Sequence, residues 1–192
     1  MDAIAETLMN QLASGNHIST ISKSVGGDEN SVKSALNMAL PIIMGSMANK
    51  ASTPGGANAV MNMVSQTGAS NPVDNLSGHL SNPQAAGGAG MASSLLGSQM
   101  GGIQNAIAQK TGLPPAAVGQ ILAIATPLVM GHMHKSLSGK QVDQATLTSH
   151  LENQSKMAMQ SSPEAAALAT QVQAGQEESS GIMGKLKKLL TG

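Results

Sequence analysis

The chain has 192 residues, zero formal net charge, 41% hydrophobic residues and 14 methionines, and it lacks Phe, Trp, Tyr and Cys. All its basic side chains other than histidine are lysines, so no arginine forks for phosphate and no aromatic platforms for bases are present, which argues against nucleic acid as a partner. The absence of cysteine excludes disulfides, a thiol nucleophile and thiolate metal sites.

A core without rings is built from Leu, Ile, Val, Ala and Met, with methionine filling the gaps between closely approaching helices. Runs of β-branched and aromatic residues, which strands favour, are missing. The expected fold is all-α and multihelical. The segment Met1-Asp2-Ala3-Ile4-Ala5-Glu6 lacks the basic start and apolar run of a secretory signal. The most apolar stretch, Ile121 to Gly131, is interrupted by Thr126 and Pro127 and falls short of the ~20 residues a membrane-spanning helix needs. The expected location is cytoplasmic.

In chain order, Ala3, Ile4, Leu8, Met9 and Leu12 form one face of an amphipathic opening helix. A short helix over about Ile18–Val25 ends at Gly26, where glycine takes the left-handed conformation of a helix C-terminus. Asp28 then caps a longer helix whose Val32, Ala35, Leu36 and Ala39 recur at helical spacing. Pro41 removes a backbone donor and crowds the preceding turn, so a kinked helix, or two helices meeting there, is expected. Residues 51–92 are rich in Gly, Ser, Asn and Pro, with breakers at Thr53-Pro54-Gly55-Gly56, Ser70-Asn71-Pro72 and Asn82-Pro83. Short helices fit around Ala57–Ser65 and Val73–Leu80.

The pattern then returns. A helix over about Ile103–Thr111 ends at Gly112, Pro114-Pro115 opens the next one, and Val118, Ile121, Leu122 and Ala125 precede Pro127. Aligned without a gap, Ile21–Lys50 and Ile107–Ser136 match at Ile21/Ile107, Gly26/Gly112, Val32/Val118, Leu36/Leu122, Pro41/Pro127, Met44-Gly45/Met130-Gly131 and Met47/Met133. The expected domain, residues 1–140, thus holds two related units, about 15–50 and 101–136, packed with pseudo-twofold character. Polar helices follow over 141–174, then a linker and a short amphipathic helix within 175–192.

The motifs Leu95-Leu96-Gly97, Ile103–Lys110, Thr111-Gly112-Leu113-Pro114 and Ala125-Thr126-Pro127-Leu128-Val129-Met130-Gly131 resemble the YidB-like family, a bacterial family of unknown function. The resemblance covers roughly residues 15–140. It implies bacterial origin, a multihelical fold and no assigned activity, and it supplies no catalytic residues.

Three features are weighed for chemistry. Met130-Gly131-His132-Met133-His134 combines thioether and imidazole, the ligands copper(I) prefers, and Met130 and His134 share a helix face. The matching Met44-Gly45-Ser46-Met47-Ala48 keeps the methionines without the histidines, so the sulfurs read as core. Asp28-Glu29 is explained by capping, Glu177-Glu178 by a solvated linker, and His17, His79 and His150 carry no motif. No nucleophile elbow or phosphate-binding turn is present, so neither an enzyme nor a resident cofactor is expected. The strongest interaction motif is C-terminal: as a helix it sets Ile182, Met183, Leu186, Leu189 and Leu190 opposite Lys185, Lys187 and Lys188. It suits docking onto its own core, a groove on a partner, or, at under three turns, weak contact with an anionic membrane surface. A protein partner or self-association is the expected mode of action.

Overall fold

The computed structural model describes residues 4–68, 71–82, 87–138 and 143–172. They form α1 (Ile4–Ala13), α2 (His17–Val25), α3 (Glu29–Ala51), α4 (Gly56–Gly68), α5 (Leu76–Ser81), α6 (Gly88–Leu96), a 3-10 turn (Gly97–Gln99), α7 (Met100–Thr111), α8 (Pro115–Leu137) and α9 (Gln144–Ser161). A further helix, α10, covers 163–172. Among the described residues there is no strand, and the fold is all-α and multihelical.

Local chemistry sets the boundaries of the repeated helices. Gly26 and Gly112, both at φ 74°, end α2 and α7 in the left-handed conformation. Asp28 caps α3 by accepting from the Ser31 backbone N–H at 2.9 Å. At α8 the cap position is Pro114, and Pro115 begins the helix where a missing N–H costs nothing. The two long helices are each 23 residues, and both their starts (Glu29, Pro115) and their ends (Ala51, Leu137) lie at the offset of the sequence repeat.

α3 and α8 pack against each other at the centre and bury side chains around most of their circumference, as a helix enclosed by neighbours does. Leu36, Met38, Leu40, Ile43, Met44 and Met47 from α3 meet Ile121, Leu122, Leu128, Val129, Met130 and Met133 from α8 within one continuous core. α9 lies along α3, while α4 and α6 lie along α8. α9 carries its own cap, Asp143 accepting from Thr146 N–H at 2.7 Å, and it buries Leu147, Leu151 and Ala158. Its Gln154 is also buried, with Oε1 accepting from the Ile4 backbone N–H at 2.9 Å.

Of the two arrangements expected at Pro41 and Pro127, two helices meeting at the proline does not occur: α3 and α8 each run through as one helix. Nor do Thr126 and Pro127 cut short the apolar run. Thr126 folds its hydroxyl back onto the Leu122 carbonyl at 2.7 Å, and α8 as a whole is long and apolar enough, by length and composition, to cross a membrane. In this fold 72% of its most apolar window is buried against other helices.

Candidate interaction clefts

Each proline leaves a mark on its helix surface. Pro41 has no N–H to offer the Asn37 carbonyl, and Pro127 has none for that of Ala123. At α8 the gap is closed from within: Gly88, at the start of α6, lies so near that an added Cβ would collide with the Ala123 oxygen and stand 3.3 Å from Pro127 Cγ. At α3 Asn37 is exposed and Pro41 buried, and both belong to one concave surface. It forms the floor of a cleft of about 320 Å³ between α1, α3 and the end of α9, with Ala5, Met9 and Ala13 on one wall and Ala158 on the other. Glu6 and Lys33 stand at its rim.

Two more clefts flank α10. One, of about 180 Å³, lies between α3 and α9, where Gly45 and Met159 face each other. The other, of about 330 Å³, runs between α7 and α10 past Gly102, Asn105, Ala106 and Val172. None of the three was visible in the sequence, because each wall comes from helices far apart in the chain. The nearest signals were Met9, on the apolar face of the opening helix, and the proline at 41.

The described methionines divide cleanly. Met38, Met44, Met47, Met130 and Met133 are buried, whereas Met9, Met61, Met63, Met91, Met100, Met157 and Met159 are only half-buried. Five of the seven, Met9, Met61, Met63, Met100 and Met159, pack against the core while reaching the surface, alongside Ile18, Val25, Leu137 and Val172.

The Met130–His134 segment is split by the same division. Met130 and Met133 are fully enclosed with their counterparts Met44 and Met47. His132 and His134 are half-buried. The His134 ring lies against Gly68 of α4, where an added Cβ would strike it. His132 Nδ1 is buried without a hydrogen-bond partner, and burial, helped by the nearby Lys135 charge, lowers the pKa of its ring. No group of three or more His, Asp or Glu side chains arranged to hold a metal ion occurs among the described residues.

The remaining titratable candidates serve the fold. His79 is buried on α5, and its Nε2 lies 3.1 Å from the Ile124 carbonyl, which makes that nitrogen the donor and fastens α5 to α8. Burial lowers its pKa against the opposing pull of that bond. His150 Nε2 lies 3.3 Å from Ser136 Oγ, joining α9 to α8. The Asp28 carboxyl is held below its ordinary pKa by its bonds with Ser31. The expected interaction residues Ile182, Met183, Lys185, Leu186, Lys187, Lys188, Leu189 and Leu190, like Glu177 and Glu178, lie outside the described residues.

No curated protein and no solved structure matches the chain. A family model described as "Bacterial protein of unknown function (DUF937)" matches residues 6–136, about two thirds of the sequence and the whole of the repeat. The chain belongs to this bacterial family of unknown function, as the YidB-like character of its glycine, proline and Met-Gly motifs implies.

Proposed function

We propose that the protein is a non-enzymatic, cytoplasmic interaction module that engages a protein partner, or a second copy of itself, through its methionine-edged clefts. The observation that carries this reading is the set of seven half-buried methionines, of which Met9 and Met159 line clefts on α3. Methionine is unbranched and polarisable, so it moulds to irregular apolar surfaces, and surfaces rich in it suit partners that differ in shape. An aromatic-free cleft edged this way fits an amphipathic helix presenting Leu, Ile or Met.

The architecture supplies such clefts by joining two copies of one helical unit with pseudo-twofold character. Support comes from the packing: α2 rests on α8 as well as α3, and α7 rests on α3 as well as α8. Gly27 faces Leu113, its counterpart in the repeat, as residues beside a twofold axis do, and a Cβ on Gly27 would collide with that leucine. The halves differ in what covers them: α9 lies along α3, whereas α4 and α6 lie along α8.

The test is site-specific photocrosslinking in cells, with a photoreactive residue at Met9, at Met159, or at the exposed control position Asn153. A discrete adduct from Met9 or Met159, absent from the control, is the expected result. Equal or absent labelling at all three positions would sink the reading. Copper(I) binding by the Met130–His134 segment is the competing reading. Both sulfurs are enclosed, so binding there requires the α8 core to open, and anaerobic copper(I) titration of H132A/H134A against the wild type decides it.

A further inference from the structure

Cys, Trp and Tyr are absent from the chain, so methionine is its one side chain that a hydroperoxide oxidises readily. Burial sorts the sulfurs by access. Met38, Met44, Met47, Met130 and Met133 are enclosed in the core, whereas Met100 is half-buried at the first position of α7, packed against that core with part of its surface in solvent. Access alone does not set Met100 apart from the other half-buried methionines. A hydrogen bond does: Ser93, exposed on α6, donates its hydroxyl to Met100 Sδ at 3.6 Å. Met91, two residues earlier on the same helix, provides the contrast. Thr67 Oγ1 lies 4.0 Å from its Sδ, but that hydroxyl has a better acceptor in the Met63 carbonyl at 2.9 Å.

We infer that Met100 is a site of reversible oxidation by hydroperoxides, at which the Ser93 hydroxyl assists oxygen transfer and then holds the oxygen transferred. In the step, a sulfur lone pair attacks one oxygen of the peroxide. The S–O bond forms as the O–O bond breaks, and the proton of the attacked hydroxyl passes to the leaving oxygen. Thioether and hydrogen peroxide become sulfoxide and water, the sulfur losing two electrons and the peroxide gaining them. Negative charge develops on the peroxide oxygens during the transfer, so a hydroxyl donor helps by turning from sulfur to oxygen. Ser93 is exposed, and its hydroxyl is free to make that turn. A thioether is a weak acceptor and a sulfoxide oxygen a strong one, so the bond from Ser93 strengthens on oxidation. The new polar group is then satisfied at a place where an unpaired one, set against the core, would cost stability. Reversal requires thiol-driven methionine sulfoxide reductases, one enzyme for each epimer, and the solvent-facing side of Met100 gives them access.

The test is peptide mapping by mass spectrometry of the folded full-length protein after increasing times in hydrogen peroxide. The oxidation rate of Met100 is read against that of Met91 in the same sample. Met100 is expected to oxidise about three- to tenfold faster than Met91, the range that one hydrogen bond spans. S93A should remove the advantage and S93T, which keeps a hydroxyl, should retain it, while Met91 keeps its rate in all three proteins. Far-UV circular dichroism establishes that the variants are folded. Incubation with both epimer-specific methionine sulfoxide reductases and dithiothreitol should then return Met100 to the thioether. An unchanged Met100 rate in S93A would overturn the role of Ser93. Oxidation of Met100 no faster than Met91, or a Met100 sulfoxide that the reductases leave in place, would overturn the site itself.

Discussion

Gly88 and Gly90 sit two residues apart in α6, and replacing each by alanine should change stability in opposite directions. At Gly88 the new methyl meets the Ala123 carbonyl oxygen, a backbone atom within a packed helix that cannot turn aside, and Pro127 Cγ is 3.3 Å away. Overpacking of this kind costs about 1–3 kcal/mol. The compensating gain in helix propensity is at most about 1 kcal/mol and is smaller at the first residue of a helix. At Gly90 nothing lies within 4 Å of the added Cβ, and the residue is exposed. There the alanine collects its propensity gain, about 0.5 kcal/mol. The expected separation of G88A from G90A is therefore about 2 kcal/mol, or roughly 4–8 °C in Tm for a chain of this size. Without Trp or Tyr, unfolding in urea is followed by far-UV circular dichroism. If G88A proves as stable as G90A, α6 does not press on the Pro127 site and the contrast between the two halves fails.

The paired glycines Gly45 and Gly131 should behave unequally as well. A Cβ at Gly45 comes within 3.0 Å of the mobile end of Met159, so G45A should be near neutral. G131A should cost about 1–3 kcal/mol, because it displaces Asn71, whose amide donates to the Gly131 carbonyl at 3.0 Å and accepts from Val73 N–H at 3.0 Å. Core truncation at Met133, fully enclosed, should cost about 2–5 kcal/mol in urea unfolding. Acid should weaken the fold through His79 and His132. Their folded pKa values lie below 6.5, so the neutral forms stabilise the fold above that pH, and the contribution is lost as pH falls from 6.5 through the lowered values. H79L/H132L should flatten that part of the stability profile, and an unchanged slope would refute the assignment.

What could be read from the sequence was local. Gly26, Asp28, Gly112 and Pro114-Pro115 marked real helix ends because capping depends on a few adjacent dihedrals and donors. The repeat identified Met130 and Met133 as core because Met44 and Met47 fill the same role without histidines beside them. The prolines left two readings open, since local sterics do not show whether neighbouring helices will hold a long helix together past a missing bond. α9 concealed its importance for a similar reason. Its apolar residues are sparse, and Gln154 becomes a core residue only through the Ile4 N–H, 150 positions away. Separation along the chain also hid the clefts and the attachment of His79 to Ile124, 45 positions apart.

The bond between Ile4 and Gln154 also has a consequence in time. A ribosome adding about 5–20 residues per second needs roughly 8–30 s to proceed from one to the other. For much of that interval the opening helix lacks its closing strap, and the α3 surface that α9 later shields is uncovered. The family-matched stretch ends at residue 136, before α9 begins. Ribosomes stalled shortly after that point should display a nascent chain that chaperones and proteases still recognise as unfinished, and release from them should await synthesis of the segment around Gln154.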